Sequence, residues 1–309
     1  MFNLNEILKK DKITIVITDS GLGGMSVCAG IEQRLRGNNS YQEANLIFFN
    51  ALPERGMGYN SMPSIKMKAN VFNQALISME RNFSPDIILI ACNTLSIVYP
   101  WTQFAQVSKT PVLGIVEFGV SMILSALKMN PDSEVLILGT QTTIKSETHK
   151  KRLLENGIKE NKIINQACPD LETEIQLSPE SIAVKSLVNR YLKEAISKSN
   201  SANHPIIANL CCTHYGFSKE IFYSSFRKLT EREVILLNPN ELMIDSVIIE
   251  PNRPGSYFTK MNVQVVSRSV IENEEKQSIG RIIKANAPLS SAALMNCEFN
   301  PNLFEFHIS

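Results

Sequence analysis

The residues best suited to chemistry are two cysteines that follow apolar runs. Cys92 comes directly after DIILIA (86–91), and Cys212 comes two positions after PIIANL (205–210). A thiolate can abstract a proton and a thiol can donate one. Two cysteines on opposite sides of one carbon can therefore remove a proton from one face and return it to the other. This chemistry inverts a stereocentre without a cofactor.

Each thiol needs a neighbour that takes up its proton, because a cysteine of ordinary pKa, about 8.5, is only a few per cent thiolate at neutral pH. Asp19 lies at the end of another apolar run, and His214 is two positions past Cys212. Either side chain can hold or shuttle the proton of the nearer thiol. Small polar side chains occupy the adjoining positions: Ser20, Asn93, Thr94, Thr140, Thr143 and Thr213. Together with backbone amides at strand-to-helix turns, they favour a carboxylate as ligand.

The same segments fit metal and nucleotide sites poorly. Structural zinc sites use a C-x₂₋₄-C pair and a second pair of ligands, which LCCTHYGF (210–217) lacks, so we expect no metal. DSGLGG (19–24) is neither a P-loop nor a complete dinucleotide fingerprint, so we expect no cofactor. An isolated cysteine is usually a small buried hydrophobe, and we assign that role to Cys28, Cys211 and Cys297.

Short apolar runs alternate with longer amphipathic stretches along the chain. The apolar runs predict buried parallel strands at 13–18, 45–49, 86–91, 111–116, 134–139, 162–166, 205–210 and 234–238. The amphipathic stretches predict helices at 24–36, 62–81, 117–129, 146–155, 178–198 and 216–230. This alternation is typical of βαβ units, so the predicted fold class is α/β with doubly wound parallel sheets.

A spacing of 72 positions occurs twice and indicates two similar halves. It separates Ser20 from Cys92 and Thr140 from Cys212, and all four residues follow predicted strands. Two α/β halves that face each other explain the repeat. The cleft between them would be lined by the carboxyl ends of strands, which is where open α/β sheets place their ligands.

A length of 309 residues also favours two domains. We assign residues 1–116 plus 231–309 to the first domain and residues 117–230 to the second, because the C-terminal segment is expected to return to the first half. Its predicted elements are a loop at 250–256, a strand at 262–267 and a helix at 274–286.

The composition limits the kind of partner. The chain has 31 Lys and Arg against 30 Asp and Glu, so it lacks the basic character of a nucleic-acid binder. No apolar run approaches the roughly 18 residues of a membrane span. The segment MFNLNEILKKDK (1–12) has no apolar core like that of a signal peptide. We therefore expect a cytoplasmic protein that acts on a small molecule, without nucleic-acid or membrane partners.

The quoted segments carry a family resemblance. ITDSGLGGMSV, ACNTLS, LGTQTTIKS, ACPDL and CCTHYGF resemble, in order and approximate spacing, the glutamate racemases of the cofactor-independent aspartate/glutamate racemase superfamily. The resemblance covers about residues 13–245. It implies two Rossmann-like domains of pseudo-twofold symmetry, interconversion of L- and D-glutamate for peptidoglycan synthesis, and a homodimer.

The resemblance also implies roles for individual residues. Cys92 and Cys212 would be the two acid/base groups, assisted by Asp19 and His214. The residues that would hold the α-carboxylate and ammonium of the amino acid are Ser20, Asn93, Thr94 and Thr213.

The chain departs from the family pattern in the loop NALPERGMGYNSMP (50–63). Asn50 stands where the family has an aspartate, and the segment Gly58, Tyr59 and Asn60 takes the place of a Pro-Tyr-Gly that contacts substrate. Gln176 stands where the family places a glutamate, with Glu172 and Glu174 nearby, and His149, at a position often aromatic, is expected to face outward from its helix. These changes leave two alternatives open: a racemase or isomerase of aspartate or another small carboxylate, and a non-catalytic protein that binds a small acid.

Overall fold

Two parallel sheets form the centre of the structure, a computed structural model that describes residues 4–38, 40–249 and 258–306. The first sheet has six strands in the order β10-β9-β2-β1-β3-β4, and the second has four in the order β6-β5-β7-β8. The strands are β1 (Lys12–Asp19), β2 (Glu43–Asn50), β3 (Ile87–Ile90), β4 (Val112–Gly114), β5 (Glu134–Gly139), β6 (Ile163–Ala167), β7 (Ile206–Cys211), β8 (Val234–Leu237), β9 (Lys260–Ser267) and β10 (Glu298–Phe299). All of the pairings between these strands are parallel.

Helices connect the strands. They are α1 (Leu4–Leu8), α2 (Met25–Arg36), α3 (Ile65–Phe83), α4 (Asn93–Val98), α5 (Phe104–Val107), α6 (Ile115–Met129), α7 (Gln141–Ser146), α8 (Thr148–Glu155), α9 (Leu171–Leu177), α10 (Ile182–Ser197), α11 (Lys219–Leu229), α12 (Pro239–Asp245), α13 (Asn273–Lys284) and α14 (Pro288–Met295). A 3-10 helix over Thr213–Ser218 joins β7 to α11. None of the described helices is both long and apolar enough to cross a bilayer.

Apolar residues on both faces of the central strands explain the layered packing. In β1, Ile13, Ile15 and Ile17 belong to the core on one face, whereas Val16 belongs to the core on the other face. Burying each such side chain contributes about 1.5–3 kcal/mol. The predicted fold class, an α/β protein with doubly wound parallel sheets in two domains, is confirmed.

The spacing of 72 residues is the register of one strand pair in each sheet, β1 with β3 and β5 with β7. Ile15 is opposite Ile87 in the first sheet, and Val135 is opposite Ile207 in the second. A fixed spacing at the ends of two neighbouring parallel strands places the following residues side by side. The repeat in the sequence therefore arises from two units of matching length, one running from β1 through β2 to β3 and the other from β5 through β6 to β7, each with its connecting helices.

The strand β8 departs from the predicted division of the chain. It pairs with β7 in the second sheet, although residues 231–309 were assigned to the first domain. The helix α11 follows β7 and brings the chain back to the edge of the second sheet. There β8 pairs with β7 and packs against α6. The second unit therefore continues past the predicted boundary at residue 230. The rest of the division stays a prediction, and the predicted loop at 250–256 lies outside the described residues.

His149 is buried, so the prediction that it faces outward is wrong. Its side chain is 2% exposed, and with Leu153 it forms the buried stripe of α8. Residues four apart lie on the same face of a helix, and this face packs against α6. A Cβ atom on Gly119 of α6 would lie 3.6 Å from His149 Nε2, an ordinary van der Waals distance, so the imidazole lies directly against this helix.

Candidate active site

One cavity of about 550 Å³ lies between the two sheets, at the carboxyl ends of β1, β3, β5 and β7. Parallel strands bring the residues that follow them to one edge of the sheet, and the two edges face each other here. The cavity lining includes all the predicted site residues: Asp19, Ser20, Gly58, Tyr59, Asn60, Cys92, Asn93, Thr94, Thr140, Thr143, Cys212, Thr213 and His214. The structure therefore brings these residues together, and their individual roles remain predictions.

Cys92 is the residue that precedes α4, just beyond the end of β3. Its Sγ lies 3.2 Å from Ser20 Oγ, and the amide of Ser20 donates to Asp19 Oδ1 at 2.6 Å. Burial raises the pKa of Cys92 to about 12, and the negative charge of Asp19 adds to this effect. Cys92 is therefore a protonated thiol at neutral pH, with a carboxylate close by.

Cys212 occupies the corresponding position after β7, immediately before the 3-10 helix. Its Sγ lies 3.7 Å from His214 Nδ1. Burial raises the pKa of Cys212 well above its ordinary value, and the carboxylates of Glu172 and Asp19 raise it further. Cys212 is also a thiol at rest, and His214 is the adjacent group that can take its proton. The neighbouring Cys211 is fully buried and accepts a hydrogen bond from Asn209.

The ring nitrogen of His214 that points away from Cys212 is hydrogen-bonded to Gln176. This nitrogen, Nε2, lies 2.9 Å from Oε1 of Gln176 on α9, which also accepts the amide hydrogen of Leu22 at 2.9 Å. Nε2 of Gln176 donates to Oε1 of Glu275 on α13 at 2.9 Å. Burial lowers the pKa of His214, while the charges of Asp19 and Glu275 act in the opposite direction.

Several polar groups on the cavity wall lack a partner within the described residues. Neither amide atom of Asn93 makes a hydrogen bond, although the residue is 3% exposed, and the hydroxyl of Tyr59 is also unpaired. Buried polar groups in proteins are almost always paired. These atoms can therefore receive the charged ends of a small ligand. Nearby, the hydroxyls of Thr94, Thr140 and Thr143 form a row with oxygen separations of 3.4 and 3.2 Å, which joins the two sheets.

The altered loop is anchored at both ends. Asn50 accepts from the amide of Leu52 and donates to Ser267 of β9, so its side chain is engaged with the sheet. Further along, Arg55 forms ion pairs of 3.0 and 3.6 Å with Glu272 and Glu275, side chains of the C-terminal segment. Asn60 donates to Oε1 of Glu172 at 3.2 Å. Burial raises the pKa of Glu172.

Sequence reasoning missed two of the charged residues on this cavity, Arg55 and Glu275. Arg55 belongs to the loop that departs from the family pattern, so no motif marks it. Glu275 lies on α13, and its contact with Gln176 joins residues 99 positions apart. Only the expected return of the C-terminal segment to the first half pointed to that region.

Comparison with known proteins identifies the relatives of the chain. The family model described as Asp/Glu/hydantoin racemase matches residues 25–204. A glutamate racemase of Nitratiruptor sp. is 26% identical over 235 residues, which cover 74% of this chain and 81% of the relative. One from Hydrogenobaculum sp. is 30% identical over 204 residues, covering 65% and 70% of the two chains.

Solved structures share the fold. A glutamate racemase isoform from Bacillus anthracis superposes with a TM-score of 0.66 at 20% identity, over 88% of this chain and 94% of that one. The glutamate racemase of Francisella tularensis in complex with D-glutamate gives a TM-score of 0.64 at 16% identity, over 94% and 95%. The family match spans more than half of the chain, and the motifs around both thiols lie on one cavity of the shared fold. The chain belongs to the Asp/Glu/hydantoin racemase family.

Proposed function

We propose that this protein is a cofactor-independent amino-acid racemase that interconverts L- and D-glutamate by proton transfer between two thiols and the α-carbon. The observation that carries the proposal is the position of Cys92 and Cys212 on one cavity, just beyond the ends of β3 and β7, which belong to different sheets. Glutamate is the substrate named for the relatives, which supports it as the substrate here. Supply of D-glutamate for peptidoglycan, a cytoplasmic location and a homodimer remain predictions.

The proton transfers follow from the groups beside each thiol. His214 takes the proton of Cys212, and the thiolate removes the α-proton from the face of the substrate next to it. The thiol of Cys92 then donates a proton to the opposite face, which completes the inversion, and Asp19 is placed to assist the return of Cys92 to its thiol form. The reverse reaction uses the same groups with the donor and acceptor exchanged.

The cavity wall supports the binding of a charged amino acid. The unpaired amide of Asn93 and the hydroxyls of Ser20, Thr94 and Thr213 offer both donors and acceptors for an α-carboxylate and an ammonium group. Burial raises the pKa of Glu172, which favours the uncharged form of this side chain beside a second substrate carboxylate. Such contacts hold the α-carbon between the thiols, and orientation of this kind lowers the barrier to proton transfer.

The test is exchange of the α-hydrogen in deuterated water, followed by mass spectrometry and by chiral separation of L- and D-glutamate. We expect Cys92→Ala and Cys212→Ala each to lower inversion by about 100-fold or more, because each removes one acid/base group. Each single variant keeps a base on one face, so it should exchange deuterium into one enantiomer only, and the two variants should prefer opposite enantiomers.

Cys297→Ala is the matched control, because Cys297 lies outside the cavity lining. Aspartate and other small dicarboxylates are assayed alongside glutamate. A double variant without Cys92 and Cys212 that still inverts glutamate would overturn the proposal. Turnover of aspartate without turnover of glutamate would retain the two-thiol chemistry and correct the substrate.

A further inference from the structure

The side-chain amide of Gln176 is fixed in one orientation by its neighbours. The backbone amide of Leu22 can only donate, so the atom 2.9 Å from it must be the oxygen of Gln176. The carboxylate of Glu275 accepts, so the atom 2.9 Å from its Oε1 must be the Gln176 nitrogen. Two independent partners therefore give the same assignment of oxygen and nitrogen.

This orientation determines which nitrogen of His214 carries hydrogen. The oxygen of Gln176 lies 2.9 Å from His214 Nε2, so Nε2 must be the donor in that contact. A neutral imidazole has one N–H group, which leaves Nδ1 with a free lone pair. Nδ1 is the atom 3.7 Å from Sγ of Cys212.

We propose that Gln176, held by Leu22 and Glu275, is a positioning residue that keeps His214 as the neutral Nε2–H tautomer and so makes Nδ1 the acceptor of the Cys212 proton. This inference rests on the proposed racemase function. In the step it describes, the S–H bond of Cys212 breaks and an N–H bond forms at Nδ1. The products are a thiolate and an imidazolium, and the proton returns to sulfur when Cys212 acts as an acid.

The placement of charge favours a neutral resting ring. The groups that face His214 are the thiol of Cys212, the carboxylate of Asp19 after β1, the amide of Gln176 on α9 and, behind that amide, the carboxylate of Glu275 on α13. A carboxylate in direct contact with an imidazole stabilises the charged ring, whereas an amide does not. Because the amide is the direct partner and burial lowers the pKa of His214, the ring can still accept a proton at neutral pH.

The direct measurement is the protonation pattern of His214 in protein labelled with ¹⁵N-histidine. Long-range ¹⁵N–¹H couplings to Hε1 and Hδ2 distinguish the two ring nitrogens, and a His214→Gln variant identifies the signals. We expect hydrogen on Nε2 and none on Nδ1 at pH 7. Hydrogen on Nδ1, or a doubly protonated ring at this pH, would overturn the inference.

The decisive variant exchanges the two partners, Gln176→Glu together with Glu275→Gln. The new carboxylate at position 176 can still accept from Leu22 and His214, and the new amide at position 275 can donate to it and accept from the amide of Glu272, as Glu275 does at 3.0 Å. These hydrogen bonds are therefore retained, and the ion pair of 3.6 Å between Arg55 and Glu275 is given up as the negative charge moves into contact with the imidazole. Glu274→Gln is the matched control, because it removes the same charge from an exposed position of α13.

We expect the exchange to raise the pKa of His214 and to move the acidic limb of the kcat/KM profile to higher pH by about one unit or more. The Glu274→Gln control should leave both unchanged. An unaltered profile in a folded exchange variant would refute the positioning role of Gln176. Because the ¹⁵N pattern is measured without substrate, a correct tautomer in an inactive protein would count against the racemase function and not against this inference.

Discussion

The hydroxyl of Thr213 donates a hydrogen bond of 2.7 Å to Oδ2 of Asp19. This bond joins residues that follow β7 and end β1, strands of different sheets. It also links the surroundings of the two thiols, because Thr213 adjoins Cys212 and Asp19 acts on Cys92. The two halves of the site are therefore connected by a direct contact with a carboxylate.

Replacing Thr213 with valine should lower kcat/KM by about 10- to 100-fold, because a hydrogen bond to a charged group contributes about 1.5–3 kcal/mol. Racemisation of glutamate is the assay. Thr213→Ser retains the hydroxyl and should restore most of the activity. Equal activities of the valine and serine variants would mean that the contact with Asp19 is not used in turnover.

Gly23 is required by the close approach of its backbone to His214. A Cβ atom at this position would lie 2.5 Å from His214 Nδ1 and 2.6 Å from Thr213 Oγ1. Gly23→Ala should therefore displace the imidazole from Cys212 and lower kcat by at least about 100-fold, because loss of one general base has an effect of this size. The assay is again racemisation, with circular dichroism to verify the fold.

Gly37→Ala is the control for this substitution, since a Cβ atom there would meet nothing within 4 Å. We expect its activity to match that of the unaltered protein. A Gly23→Ala variant with full activity would show that the site accommodates the methyl group by a shift of His214 that does not affect the chemistry.

Much of the site follows from features that are local in the sequence. Cys92 and Cys212 each lie within two positions of the end of a strand, and the register of parallel strands keeps the spacing of 72 residues constant in both units. Once the strands were identified, the meeting of Asp19, Ser20 and Cys92 at one sheet edge followed from the direction of the chain. The fold class was predictable for the same reason, whereas the family was predictable from the resemblance of the motifs around the two thiols.

The contacts of Glu275, Arg55 and His149 were not predictable in this way. The bond between Glu275 and Gln176 depends on how α13 packs beside α9, and no periodic pattern encodes that packing. The burial of His149 depends on which face of α8 meets α6, and a polar ring gives no hydrophobic signal for that face. Local patterns specify elements, whereas the pairing of their faces is decided by the whole structure.

The ion pair between Arg232 and Glu134 stabilises the second sheet away from the cavity. Its nitrogen and oxygen are 2.6 Å apart, and the two side chains are 5% and 4% exposed. Arg232→Met would remove the cationic partner of the buried Glu134 carboxylate, which keeps only its hydrogen bonds from the Ser199 hydroxyl and the Asn200 amide among the described residues, so the free energy of unfolding should fall by about 3–5 kcal/mol. Urea denaturation measures this change.

The exposed ion pair of Lys219 and Glu241, 2.9 Å apart, provides the comparison. Lys219→Met should cost less than about 1 kcal/mol, because water screens an exposed pair. Similar losses for the two variants would contradict the assignment of the Arg232 pair as a buried structural contact.

His149 should make the stability of the protein depend on pH. Burial lowers its pKa from 6.5 to about 4, so the unfolded chain binds a proton at a pH where the folded protein does not. Stability is then complete above about pH 6.5 and decreases as the pH falls towards 4, by up to about 1.4 kcal/mol per pH unit. Neither ring nitrogen has a hydrogen-bond partner among the described residues, so no internal contact offsets the cost of charging the ring.

His149→Leu removes this titration and places an apolar side chain of similar volume on the buried face of α8. Urea denaturation at several pH values between 7 and 4 should show a shallower loss of stability for the variant, with the difference growing by about 3 kcal/mol over the range. His204→Gln, at an exposed position, serves as the control and should follow the unaltered protein. Parallel curves for the leucine variant and the unaltered protein would mean that His149 becomes charged without disturbing the fold, which its burial against α6 argues against.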